Sequence, residues 1–253
     1  MPRPIVEVET HNDSNMFPFL FGAFDLPGWT IPYVSVVMPF KDAAEDLLTS
    51  FEIPQVDQNE WTIEELFQRD LNWTRVDSEI VPYLRNPAEP AFFPSLTVAL
   101  LPYDRDDKVQ LENFDDWEGF LPPRRWDEPE AFQRVEQIGP ITLGWYNSWN
   151  ELTDPGAIEG QIRWNTEQIN AIAIDGQHRL AAIKRLYQAH QRDLPKFRNA
   201  RQPANILIFD SRLGFAPPDG MENRSLIELI RQLFIDLNKH GVKVSRERMI
   251  LLE

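Results

Sequence analysis

The chain has 253 residues, 42% of them hydrophobic and 26% charged, a balance that fits one large or two small globular domains and excludes a disordered or fibrous protein. Forty acidic side chains against 25 basic ones leave a formal charge of −15, which opposes general binding to the DNA backbone because that task needs a basic surface. No cysteine is present, so disulfides, thiolate metal sites and thiol catalysis are excluded.

With 21 prolines and 8 tryptophans, the composition suits a loop-rich α/β protein better than a helical bundle. The start lacks the charged residues and apolar run of a signal peptide, and residues 1 to 15 read as a frayed or edge segment. The most apolar early stretch, Met16 to Phe24, is too short for a membrane span and contains Pro18 and Gly22, so a cytoplasmic protein without a membrane partner is expected. From Met16 to Phe40, two aromatic, apolar runs flank Pro27 and Gly28 and predict two strands joined by a turn, Ile31 to Met38 being the better strand. Asp42 to Ser50 has short helical character, with Ala43, Ala44, Leu47 and Leu48 on one side.

Thr62 with Glu65 three residues later is a capping-box pattern, and Ile63, Leu66 and Phe67 carry a helical period onward to Gln68, Arg69 and Asp70. The pattern breaks near Asn72 to Thr74. A second short helix is expected over Asp77 to Leu84, facing inward with Val76, Ile80, Val81 and Leu84, and Pro82 blurs its end. Arg85-Asn86-Pro87 and Phe92-Phe93-Pro94 then lead into an apolar strand, Leu96 to Leu101. Asp104 to Glu136 is the most acidic tract, with eleven carboxylates against five basic side chains. Interleaved Trp117, Phe120 and Trp126 argue against a plain tail, so the tract reads as a surface insertion, and no spacing in it singles out a metal-binding pair. Ile141 to Trp145 and Gln161 to Trp164 follow as short strands.

The most informative stretch is Asn170 to Tyr187. Ala171 to Ile174 is an uninterrupted apolar run, as in a strand buried on both faces, after which Leu180, Ile183, Leu186 and Tyr187 recur at helical spacing, with Lys184 and Arg185 on the other side. Between them, Asp175 and Gly176 make a turn, and Gln177, His178 and Arg179 occupy the first helical turn, where backbone N–H groups lack partners and the helix dipole is positive. Glycine there admits a close ligand, Gln177 donates without charge, His178 donates if protonated, and a guanidinium matches two phosphate oxygens. The same residues equally describe an ordinary Asp175 cap with solvated neighbours.

Ala204 to Phe209 is another apolar strand, so residues 170 to 210 predict a βαβ-like unit, with ligands expected at its carboxyl ends. Ser225 to Leu237 carries a wide buried helical stripe, and Asn238, Lys239 and Gly241 resemble its C-cap. Lys184, Arg185, Arg192, Lys196, Arg198 and Arg201 form one basic cluster, and Lys239, Lys243, Arg246 and Arg248 another; each reads first as a solvated face. Met249 to Leu252 is apolar to the end, from which we expect the natural protein to continue into a helical region. The glycine-rich P-loop and the GxGxxG fingerprint are absent, and His11, His178, His190 and His240 lack paired metal-ligand spacing.

Asp175-Gly176-Gln177-His178-Arg179 resembles the signature of the DGQHR family, which is similar to the ParB N-terminal and sulfiredoxin-like fold and includes DndB of DNA phosphorothioation systems and a nucleotidase-like protein of 7-deazaguanine modification systems. Gln68, Arg69, Arg75, Tyr83 and Leu84, and Asp236-Leu237-Asn238 with Lys243 and Ser245, resemble two further family blocks. The resemblance implies one domain over residues 1–253, a ParB-like mixed sheet with flanking helices and the acidic insertion at 104–136. It implies a phosphate or nucleotide site from Gly176, Gln177, His178 and Arg179, with Arg69, Arg75, Arg85, Asn86, Asn238 and Lys243 as further contacts. Gln177 stands where sulfiredoxin-like motifs carry a reactive cysteine.

Two functions follow from this. The first is a nucleotide-binding, ATP-hydrolysing accessory of a DNA-modification system, using ATP or another nucleotide, with Asp175 or His178 activating water, Asp175 alternatively beside Mg2+, and Arg179 stabilising charge. The second is a DndB-like regulator that binds DNA or the modification machinery without catalysis. The nucleotide role requires that the helix-start amides and the Arg179 guanidinium face an open cavity.

Overall fold

A computed structural model describes residues 16–53, 71–86, 88, 90–104, 109–111, 113–115, 132–146, 158–189, 197–221 and 224–239. Pro27 and Gly28 turn the chain between β1 (Phe17–Leu26) and β2 (Trp29–Pro39). Gly28 has φ 88°, the left-handed conformation that follows proline in a type II turn, so Leu26 lies opposite Trp29 and the strands pair antiparallel. Alternation along β2 buries Val34, Val36 and Met38 on one face.

Helix α1 (Phe40–Asp46) buries Ala43 and Ala44 but stops earlier than its periodicity implies. Leu47–Leu48 form a two-residue strand, β3, and Thr49 caps a single 3-10 turn, Ser50–Glu52, whose Glu52 carboxylate accepts from the Thr49 N–H at 2.9 Å. The helix expected after Thr62 lies outside the described residues. The next expected helix starts earlier: α2 (Trp73–Arg75), a π-helical turn (Val76–Ile80) and α3 (Val81–Arg85) run on continuously. Pro82 opens the last piece instead of ending it, directly after the wider turn in which the Val81 N–H reaches the Val76 carbonyl.

The remaining elements are β4 (Leu96–Asp104), β5 (Val109–Gln110), β6 (Phe132–Ile138), β7 (Ile141–Tyr146), β8 (Ile158–Trp164), β9 (Ile169–Asp175), α4 (Gln177–Ala189), β10 (Arg201–Leu207) and α5 (Leu226–Lys239). The protein is thus a mixed α/β structure with one large mixed sheet, ordered β3-β9-β4-β10-β2-β1-β8-β7-β6, and β5 pairs on β4. Two expectations are corrected here. The end of the acidic tract is a structural strand, β6, at the sheet edge beside β7, and Phe114 from the same tract is buried in the core. Nor do β9 and β10 form a βαβ unit, because β4 separates them, antiparallel to β9 and parallel to β10. Leu96 to Tyr103 are apolar or aromatic at nearly every position and largely buried on both faces, so β4 takes the central slot between them.

Strand β9 is equally buried from Ile169 to Ile174. Its faces are covered by α4, through Leu180, and by α5, which packs on β9 and β4 and adds Leu226, Ile230 and Phe234 to the core. Ala181, Ala182 and Leu186 of α4 meet Leu71, Val76 and Val81 in a smaller cluster. Among the described residues no helix is long and apolar enough to cross a membrane.

Candidate functional site

The strand, turn and helix expected over residues 170–187 are present: β9 ends at Asp175, Gly176 turns, and α4 opens at Gln177, with the Leu180 N–H on the Gly176 carbonyl at 3.0 Å. Gly176 is required twice over. Its φ of 85° is left-handed, and a Cβ there would lie 2.5 Å from Leu96 Cδ2 and 2.9 Å from Arg179 Nη2. The space a glycine leaves open at this corner is taken up by the chain's own side chains.

Arg179 is the main occupant. Its Nη1 donates to the Pro94 carbonyl at 2.6 Å and the Ser95 carbonyl at 3.2 Å, and its Nη2 donates to Asp175 Oδ2 at 3.0 Å. The side chain is only 18% exposed. Burial lowers its pKa from the ordinary arginine value, and the Asp175 carboxylate opposes that shift. The guanidinium therefore fastens the helix start to the entry of β4. The requirement that it face an open cavity is not met by its bonding.

Its neighbours are held as well. The Gln177 side chain is buried, and its Oε1 accepts from Ser50 Oγ at 2.8 Å, while its Nε2 is shielded from solvent without a hydrogen-bond partner among the described residues. His178 Nε2 accepts from the Asn72 N–H at 3.0 Å and is therefore unprotonated, which differs from a cationic donor at that atom.

A cavity of about 200 Å3 nevertheless lies against the turn, walled by Asp175, Gly176, Gln177, His178 and Arg179 together with Arg75, Ile80, Ile174 and Phe234. Of the arginines expected near a ligand, the structure brings in Arg75, which also pairs loosely with Glu79 at 3.5 Å. Arg85 and Asn86 are exposed and are not among the cavity walls; the Asn86 Oδ1 instead accepts from the Ala88 N–H in a local turn. Asn238 lies in the last turn of α5, and Arg69 and Lys243 lie outside the described residues.

For Mg2+, Asp175 is the only carboxylate on the cavity wall among the described residues, and one of its oxygens already holds Arg179. Among the described residues no group of three or more His, Asp or Glu side chains could hold a metal. These residues do not make a protein-held metal site, since magnesium needs near-octahedral oxygen ligands.

The basic cluster of α4 is likewise not a free face. Lys184, expected on the outer side, is buried and paired with Glu52 at 2.9 Å, and Arg185 pairs with Asp77 at 3.1 Å and sits 5.2 Å above the Trp73 ring. Periodicity missed this because the chain before and after residues 54–70 folds over that side of the helix. Four contributors escaped sequence reasoning: Ser50, Asn72, and the carbonyls of Pro94 and Ser95. Only Ser50 had a local signal, since Thr49 and Glu52 bracket it in a capping-box pattern. Comparison with family models, with curated proteins and with solved structures gave no match.

Proposed function

We propose that this chain is a non-hydrolysing, phosphate-binding accessory protein of a bacterial DNA-modification system, in the manner of a DndB-like regulator. The observation that carries it is the commitment of Arg179 to Pro94, Ser95 and Asp175. Phosphoryl transfer depends on cations positioned at the developing charge, and this one is held elsewhere. The helix-start amides and the nearby Arg75 support binding of an anion at the turn. A space of about 200 Å3 is below the roughly 300–1,000 Å3 of most small-molecule sites, so it suits a phosphoryl group with the rest of the ligand outside. The link to DNA modification rests on the resemblance of the Asp-Gly-Gln-His-Arg turn and its two companion blocks.

ATP hydrolysis is the second reading, favoured by the half-exposed Asp175 carboxylate on the cavity wall. Purified protein with ATP and magnesium decides between them. We expect ATP or inorganic phosphate to raise the melting temperature by ligand linkage, with no phosphate release above background. Release that disappears in His178→Ala or Asp175→Asn establishes the hydrolase, and the absence of any melting shift with millimolar ATP, CTP or phosphate rejects phosphate binding at the turn.

A further inference from the structure

A mostly apolar space lies elsewhere among the described residues. A cavity of about 590 Å3 opens between α1, the middle of α4 and the residues leading into β10. Its α4 residues, Ile183 to Tyr187, lie seven to eleven positions from Gly176, roughly 10–17 Å at 1.5 Å per residue. Its walls include Phe40, Phe197, Ile183, Leu186 and Tyr187, and its charged residues among those described are Lys41, Arg198, Arg201 and Asp42.

Three physical features define what it would accept. The volume falls within the range of sites that enclose a whole small molecule, and such sites are mostly apolar with few polar groups. The Phe40 and Phe197 rings are 11° from parallel with centroids 6.5 Å apart, so the wall carries flat aromatic surface. Three cations, Lys41, Arg198 and Arg201, stand on the wall with Asp42, and Lys41 also pairs with the exposed Glu45 at 3.8 Å beside it, which leaves three cations against two carboxyls on a chain of charge −15. The Arg198 guanidinium is exposed and has no hydrogen-bond or ion-pair partner among the described residues, whereas Arg201 is tied by Nη1 to the Arg198 and Ala200 carbonyls, both at 3.2 Å. An arginine without an internal partner is suited to the paired oxygens of a phosphate. The Asp42 carboxyl, raised above its ordinary pKa chiefly by burial and lowered again in part by Lys41 and Arg201, offers a hydrogen-bonding group for a ring edge.

We propose that this cavity is a second binding site, separate from the turn, for a small ring-bearing phosphate of the mononucleotide class, with the ring against Phe40 and Phe197 and the phosphate on Arg198, Arg201 and Lys41. The same chemistry occurs at the 5′ end of a DNA strand, and the free mononucleotide is the occupant we assign because the space is a bounded cavity and the chain as a whole repels DNA.

Calorimetric titration of the full chain with AMP, adenosine and inorganic phosphate tests this. AMP is expected to bind at least about tenfold more tightly than either fragment, and Arg198→Glu to weaken AMP about tenfold or more, as loss of a charge-assisted contact does. Phe40→Leu, which keeps apolar volume but removes the ring, should weaken AMP and leave phosphate unchanged. Arg198 and Lys41 are exposed, and the Lys41–Glu45 pair at 3.8 Å is a solvent-exposed one, so both charge reversals should preserve the circular dichroism spectrum and shift the melting temperature little. Equal affinity for AMP and inorganic phosphate, or AMP binding insensitive to both Arg198→Glu and Lys41→Glu, overturns the proposal. A 5′-phosphorylated oligonucleotide that binds more tightly than AMP with the same variant sensitivity overturns the assignment to the free mononucleotide. Arg198→Glu leaves the phosphate-induced melting shift of the turn intact, so the two sites fail separately.

Discussion

Arg179 behaves in this structure as a clamp. It joins residues far apart in the chain, reaching the Pro94 carbonyl 85 positions away, and it is mostly buried. Arg179→Ala should therefore lower the stability of the ligand-free protein by about 2–3 kcal/mol, the scale of hydrogen bonds to charged groups, and Arg179→Lys should not restore it because an ammonium lacks the planar fork. Denaturant midpoints measure this; an unchanged midpoint with lost phosphate binding would show the guanidinium to be a ligand group. Gly176→Ala should cost about 2 kcal/mol by the same measurement, since alanine resists φ 85° and its methyl meets Leu96. A third residue gives a pH signature. The Tyr187 hydroxyl donates to Glu45 Oε1 at 2.5 Å, and that bond to a carboxylate, with some burial, pushes the phenol up to about 12. The folded protein thus favours the neutral phenol, and this stabilisation is intact below the ordinary tyrosine pKa of about 10 and is lost as the pH rises toward about 12. Ultraviolet titration should show a late-ionising tyrosine that is missing in Tyr187→Phe.

At the scale of elements, α4 is held to its surroundings by polar ties as well as by its apolar stripe. Glu52 closes the capping box with Thr49 and also receives the buried Lys184 ammonium, so one carboxylate links the 3-10 turn to the helix. Removing it leaves a buried cation unpaired, whereas replacing the lysine removes the charge altogether. We expect Glu52→Ala to cost about 1–3 kcal/mol, reduced from the fully buried case because Glu52 is partly exposed, and Lys184→Met to be nearly neutral. Thermal or urea unfolding of the two variants compares them directly; equal losses would contradict the burial argument. Helix α5 is fixed at its start by a second capping box, the Glu228 N–H on Ser225 Oγ and the Ser225 N–H on Glu228 Oε2, each at 3.2 Å. Phe234 of this helix walls the turn cavity, so its capping also helps shape the candidate site.

On the whole-molecule scale, a charge of −15 and the internal pairing of Lys184 and Arg185 leave little basic surface on α4. Duplex DNA should consequently not be retarded by this chain in a mobility-shift assay near physiological salt, and a strong shift that weakens steeply with added salt would reveal a basic footprint. The sheet explains why the two candidate sites are separate. Asp175, at the end of β9, brings the turn cavity up against β4, whereas the apolar cavity sits where α1 and the entry to β10 meet the later turns of α4.

By itself the sequence determined the Pro27-Gly28 hairpin, the buried strand and helix around Gly176, the apolar β4 and the stripe of α5. Each is written in neighbouring residues, as a hydrophobic period or a turn chemistry that needs no knowledge of the rest of the chain. Tertiary structure alone decided that Arg179 faces Pro94 and Ser95, that Asn72 meets His178, that Glu52 covers Lys184, and that β4 divides β9 from β10. Those outcomes join segments up to 132 positions apart (Glu52 to Lys184), and a contact between remote segments leaves no periodic trace in either one.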